Sequence, residues 1–166
     1  MHSPASRQHE ELFSFLLTLL RAYLDVRRTG IVLGSRYPMR LDARWSPEPD
    51  LLVVREDKRH LLGRNRLEGA ADLVIEIASD SDPGLDVREK LPRYRDAGIE
   101  EIWLLNPFDR VLLVETKSPA GYTSRALESG RLESVVLPGF WVDVAWFWRE
   151  ELPSTLACLR EMLGAL

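Results

Sequence analysis

The sequence predicts an α+β or α/β domain built on one mixed central β-sheet flanked by helices. Three observations carry this. Apolar residues Leu12, Leu16, Leu19, Leu20 and Tyr23 recur at helical spacing in the opening segment. The run Asp72 to Ser79 is almost continuously apolar, as in a central strand covered on both faces. The overall order is helix, several strands, helix, then more strands, which suits one sheet with helices against it.

The first helix is expected over Arg7 to Arg27, with Ser6 as its N-cap and Gly30 soon after its exit. Ile31–Gly34 and Tyr37–Leu41 are short strand candidates. Asp50 to Val54 is a third strand, entered through the turn-like Ser46-Pro47-Glu48-Pro49. Arg55 to Glu68 is polar and basic and reads as a loop or exposed excursion. After the strand Asp72–Ser79, the turn Asp80–Gly84 leads to a helix from Asp86 to Ala97 that ends at Gly98. Pro92 lies inside that helix and should kink or split it, because it removes a backbone donor. Ile102–Leu105 and Val111–Thr116 form a hairpin across Asn106–Asp109. Further strands are expected at Tyr122–Ala126 and Leu132–Val135, and a last helix from Ser154 to the C-terminus. The aromatic stretch Phe140–Trp148 is expected in the core or at a dimer interface.

All 166 residues are expected in a single domain, with no repeat, linker or low-complexity tract. The net charge of −4 excludes attraction of nucleic acid or membrane by the overall field, so a polyanion would need a local basic patch. The one cysteine, Cys158, forms no internal disulfide and suits a cytoplasmic setting. The opening Met1-His2-Ser3-Pro4 lacks the basic-then-apolar order of a signal peptide. The apolar stretch Leu12–Leu24 is too short to span a membrane.

Two acids stand in apolar surroundings. Glu76 interrupts Leu73-Val74-Ile75-Glu76-Ile77-Ala78, and Asp50 opens Asp50-Leu51-Leu52-Val53-Val54. A carboxylate so placed needs a cation or hydrogen-bond partners. Two carboxylates on neighbouring strands can share a divalent cation. Asp86, Lys90 and Tyr94, four apart, stack on one helix face and can fold over the end of the Glu76 strand. Two readings follow. One is a metal site with a lysine beside it, the parts of metal-assisted phosphodiester hydrolysis. The other is a buried ion pair between Glu76 and Lys90 or an arginine, with Asp50 in an exposed turn.

The blocks Pro49–Val54, Ala71–Ser79, Asp86 through Lys90 to Tyr94, Ala97–Leu104 and Leu137–Phe140 resemble the PD-(D/E)XK nuclease superfamily, and within it the Uma-two family of restriction-endonuclease-like proteins. The resemblance spans nearly the whole chain. It implies a restriction-endonuclease-like core, a divalent-metal-dependent endonuclease acting on DNA, and Mg2+ or Mn2+ as cofactor. It further implies Asp50 and Glu76 as metal ligands, with the Ile77 carbonyl as a third, and Lys90 as the stabiliser of transition-state charge. Asp86 and Tyr94 would position these groups. The superfamily's usual lysine position, two after the acid, is Ala78 here; Lys90 from the helix would replace it, and the small alanine leaves room for its side chain. The chain also departs from the family where Ser79 is followed by Asp80 rather than proline.

DNA contacts are expected from Arg40, Arg44, Arg59 and Arg64, and a homodimer fits two cuts on a duplex. His9 and Glu11, at the start of the first helix, stay outside the expected site. The alternative to an enzyme is a nuclease-like fold kept for binding or oligomerisation, with Glu76 and Lys90 paired as structure. A two-carboxylate hydrolase acting on glycosides is a third, weaker reading.

Overall fold

The computed structural model describes residues 5–34 and 36–164. Residues 1–4, on which the expected lack of a signal peptide rests, and the last two residues of the expected C-terminal helix lie outside them. Helix α1 runs Arg7–Arg27 and buries Leu12, Phe15, Leu16, Leu19, Leu20, Tyr23 and Leu24 along one stripe. The Ser6 side chain caps it by accepting the His9 N–H at 3.1 Å. Arg28, left-handed at φ 53°, closes it with its N–H on the Leu24 carbonyl.

Six strands follow in spatial order: β1 (Gly30–Gly34), β2 (Leu51–Arg55), β3 (Leu73–Ile77), β4 (Glu101–Asn106), β5 (Val111–Ser118) and β6 (Gly121–Leu127). Glycine is needed where β1 begins, because a Cβ at Gly30 would run into the Val54 carbonyl of β2. Every neighbouring pair is antiparallel except β3 and β4, which run parallel from Leu73↔Glu101 to Ile77↔Leu105. A parallel step needs a crossover rather than a hairpin. Residues 78–100 make it, through a π-helical turn at Asp86–Lys90 and the short helix α2 (Leu91–Asp96).

Alternation along the strands divides the core. Leu51, Val53, Leu73, Ile75 and Ile77 belong to a cluster with α1 and the C-terminal segment. Leu52, Val54, Val74, Ile102 and Leu104 belong to a second cluster with Leu91 and Tyr94 of α2. Glu76 shares the parity of Val74 and so lies on the α2 side. Leu51 pairs with Ile75, and one further step along that register sets Asp50 beside Glu76.

The C-terminal segment closes the first face. A ribbon of β7 (Arg131–Glu133) and β8 (Trp141–Asp143) leads through a 3-10 turn at Val144–Trp148 to helix α3 (Thr155–Leu163). Phe140, Trp146 and Phe147 are buried, and Phe15 of α1 meets Trp146 and Phe147 edge-on at 6.3 and 6.4 Å. The aromatic stretch therefore serves the core.

The structure corrects several expected elements. Tyr37–Leu41 is not a strand: only Met39 makes an isolated bridge, to Leu67, and Pro38 has no N–H to extend a ladder. Asp50 precedes β2 rather than opening it. The excursion Arg55–Glu68 contains a 3-10 turn at Glu56–Leu61, and Leu67 from it is buried. The strand expected at Leu132–Val135 is Arg131–Glu133, and its partner β8 was not foreseen. Among the described residues no helix is long and apolar enough to cross a membrane.

Buried acids away from Glu76 and Asp86 are met by donors of their own. Glu101 accepts from Trp103 Nε1 at 2.8 Å, Ser134 Oγ at 2.7 Å and the Val136 N–H at 3.0 Å. Glu101→Ala would strand three buried donors at once. It is expected to cost at least about 3 kcal/mol in chemical denaturation.

Candidate active site

Glu76, 2 % exposed, is held by both its oxygens. Oε1 accepts the Tyr94 hydroxyl at 2.5 Å. Oε2 lies 3.1 Å from Lys90 Nζ and 3.4 Å from the Asp50 N–H. Lys90 Nζ also reaches Asp86 Oδ1 at 2.9 Å. Asp50 accepts the Ile77 N–H on Oδ2 at 2.7 Å, and its Oδ1 lies 3.2 Å from His9 Nε2. The structure thus brings Asp50, Glu76, Ile77, Asp86, Lys90 and Tyr94 together.

The spacing of Asp86, Lys90 and Tyr94 is only half the reason they converge. Eight steps of a regular α-helix would carry Tyr94 about 80° around the axis from Asp86. The π turn intervenes: the Leu91 N–H bonds back to the Asp86 carbonyl, and the extra residue in the turn takes up the drift. Pro92 follows directly and has no N–H to offer the Arg88 carbonyl, so the α-helical ladder is broken there. The split expected at Pro92 is thus seen as a π turn, between Asp86 and Tyr94, followed by the short helix α2.

Asp50, Glu76, Ile77, Asp86 and Lys90 line a cleft of about 770 Å³ that also takes in Ala5, Ser6, His9, Glu48, Ser79, Asp80, Ser81, Asp82 and Leu85, with Tyr94 buried behind Glu76. Its walls are acidic, and Lys90 and His9 are the cationic side chains among the lining residues. Asp82 is paired with Arg88.

Electrostatics follow from this imbalance. Burial is the largest influence on Glu76 and raises it; Lys90 pulls it down, while Asp86, Asp50 and the Tyr94 bond act more weakly, the net result being a carboxyl pushed up to about 8. Burial also raises Asp86, against the attraction of Lys90. Burial opposes the charge on Lys90, but Glu76 and Asp86 together outweigh it and hold the amine above its ordinary value. Burial and then Glu76 raise the Tyr94 hydroxyl, which stays a hydrogen-bond donor. The bond to Asp50 raises His9 more than burial lowers it.

Three carboxylates thus share one lysine and a half-buried histidine. Carboxylate oxygens and backbone carbonyls are the donors that Mg2+ and Mn2+ prefer, and a divalent cation would balance the surplus negative charge. The donor set fits such a cation in kind and charge. Its present arrangement is not a preformed cage: among the described residues no three His, Cys, Asp or Glu side chains gather in metal-ligand geometry. Glu76 faces Lys90 and Tyr94 instead.

The expected DNA-contacting arginines do not line this cleft. Arg59 pairs with Glu56 at 3.1 Å and lines a separate hollow with Leu24, Asp25 and Arg28. It follows the far end of β2, about 17 Å of strand away from Asp50. Arg40 approaches Glu68 at 3.9 Å, and Arg44 and Arg64 are exposed. Glu11 pairs with Arg7 at 2.9 Å on the surface. The sequence reading left out His9, whose partner Asp50 is distant in the chain, and Trp45, whose ring lies 5.4 Å from that of Tyr94 with the Arg93 guanidinium 4.0 Å over it. A histidine in the first turn of a capped helix and a tryptophan in a loop give no signal of these contacts.

The family model of Uma2, described as "Putative restriction endonuclease", matches residues 1–145. Among solved structures, the crystal structure of "a putative nuclease belonging to DUF820" from Anabaena variabilis is similar with a TM-score of 0.74 and 13 % identity, over 89 % of this chain and 84 % of that one. At that identity the likeness is one of fold. No curated protein matches the chain.

The raised Glu76 has a consequence for stability. A carboxyl whose folded pKa is about 8, against about 4.3 when unfolded, contributes stability that is full below the lower value and lost as pH rises through the higher one. His9, also raised, acts with the same sign. The metal-free protein is expected to melt at progressively lower temperature from pH 5 to pH 8, and Glu76→Gln to remove most of that slope. Calorimetric melts across this range, with EDTA present, check it.

Proposed function

The chain belongs to the Uma2 family of restriction-endonuclease-like proteins, and from that premise we propose that the cleft around Glu76 hydrolyses DNA phosphodiester bonds with Mg2+ or Mn2+ bound. The observation that carries the reading is the geometry at Glu76: a buried carboxyl beside Asp50 in an acid-lined cleft, 3.1 Å from a lysine that it shares with Asp86. A divalent cation there would match the carboxyls that the one lysine does not.

Asp50 and Glu76, with the Ile77 carbonyl, would hold the metal. Bound there, a divalent cation supplies Lewis acidity toward a phosphoryl oxygen and lowers the pKa of bound water. The remaining work falls to the chain's own side chains. Lys90, kept charged by Asp86, places a fixed ammonium beside the negative charge that grows on the phosphate. Asp86 holds that ammonium from the other side at 2.9 Å. The Tyr94 hydroxyl fixes the rotamer of Glu76, and Trp45 packs against the Tyr94 ring. The Ile77 N–H fixes Asp50.

An acidic cleft repels a polyanion, so metal binding and DNA binding would be coupled here. Arg40, Arg44, Arg59 and Arg64, outside the cleft, would contact more distant phosphates and make binding salt-dependent. Cutting both strands of a duplex takes two such clefts, so a homodimer belongs to the double-strand form of this reading. A cytoplasmic setting agrees with the buried free Cys158.

One observation favours a second reading, in which the fold serves binding or oligomerisation without catalysis: the direct Lys90–Glu76 ion pair, with Tyr94 closing the other Glu76 oxygen. Cleavage assays separate the two. Plasmid and single-stranded DNA are expected to be cut with Mg2+ or Mn2+ and left intact with EDTA. Asp50→Ala, Glu76→Ala and Lys90→Ala should each lower the rate at least about 100-fold. Wild-type protein that binds no divalent ion and cuts no DNA would leave the second reading.

A further inference from the structure

We propose that His9 is a positioning residue for Asp50, an inference that rests on the metal-dependent reading of the cleft. Residue 9 is fixed before its ring makes any contact. Its N–H is the one that the Ser6 side chain accepts at the start of α1, and the helix continues without a break behind it. From there the side chain, 14 % exposed, comes over the end of the sheet into the cleft. Its Nε2 stands 3.2 Å from Asp50 Oδ1, and an ionised carboxylate can only accept, so that nitrogen donates. Nδ1 lies 3.5 Å from Glu10 Oε1 without making a hydrogen bond.

Asp50 is therefore gripped at both oxygens by groups from two different elements: Oδ1 by His9 of α1 and Oδ2 by the Ile77 N–H of β3. A carboxylate has one free torsion that sets the plane of its oxygens. Two donors on opposite oxygens fix that plane, while each oxygen keeps a lone pair for a further partner. Asp50 sits just before β2, outside the sheet ladder, where backbone pairing does less to hold it. His9 supplies the restraint that the strand does not. Partners that orient a metal-binding side chain in this way typically change metal affinity tenfold to a hundredfold when removed.

The test is titration calorimetry of Mn2+ into the full chain, wild type and two variants, with melting temperatures measured alongside. His9→Leu keeps bulk and helix propensity but has no donor; it is expected to bind Mn2+ at least about tenfold more weakly with a near-unchanged melting temperature in EDTA. His9→Gln keeps an N–H donor and is expected to recover most of the affinity. Wild-type affinity in His9→Leu would overturn the positioning role while leaving the proposed function standing. A loss in His9→Gln as large as in His9→Leu would also overturn it, since the donor would not be what matters. Wild-type protein that takes up no Mn2+ would overturn the metal-dependent reading and this inference with it.

Discussion

The structure turns on the cost of burying one carboxylate. Glu76 sits in β3, the strand between β2 and the parallel partner β4, with apolar neighbours before and after it. Removing a carboxylate from water costs several kcal/mol unless the protein replaces the lost interactions. Much of the surrounding architecture supplies replacements. The parallel step from β3 to β4 requires a crossover, the crossover carries Lys90 and Tyr94 back over the strand, and the π turn before Pro92 brings Asp86 into line with them. The antiparallel register with β2 brings Asp50 to the same place.

Other buried acids show what a purely structural solution looks like. Glu101 is met by three neutral donors. Glu115 is met by Arg95 and Ser124. Asp72 takes Lys58 at 2.7 Å and the Arg55 N–H at 2.7 Å. None of these lies among the residues lining the cleft, and each has donors of its own. Glu76 instead shares its lysine with Asp86, stands beside Asp50, and faces the cleft. Acidic side chains are concentrated there around a single lysine and His9. The proposed metal dependence rests on that grouping of acids rather than on the likeness of fold.

Much of this was legible in the sequence, where a single local pattern decided the outcome. The leucine stripe of α1 and the apolar run of β3 specify their own partners by periodicity. Glu76, Asp50 and Lys90 stood out because a charge in an apolar run needs compensation wherever the chain goes. Features that depend on distant partners were not legible. His9 acquires its meaning from Asp50, across the end of the sheet. Tyr37–Leu41 has strand-like residues, but Pro38 and the course of the neighbouring loops leave only one bridge at Met39. The basic residues from the end of β2 onward cluster in sequence, yet Arg55, Lys58 and Arg59 are drawn to Glu100, Asp72 and Glu56 respectively. Composition counted their charges without showing where they point.

A divalent cation shared by Glu76 and Asp50 is the proposed counterpart of the acids gathered there. A crystal soaked in Mn2+ and measured at the manganese absorption edge tests it directly. An anomalous peak is expected about 2.1 Å from carboxylate oxygens of both Asp50 and Glu76, with Lys90 displaced from Glu76 Oε2 yet still held by Asp86. An absent peak, with the Lys90–Glu76 ion pair intact at saturating Mn2+, would contradict it.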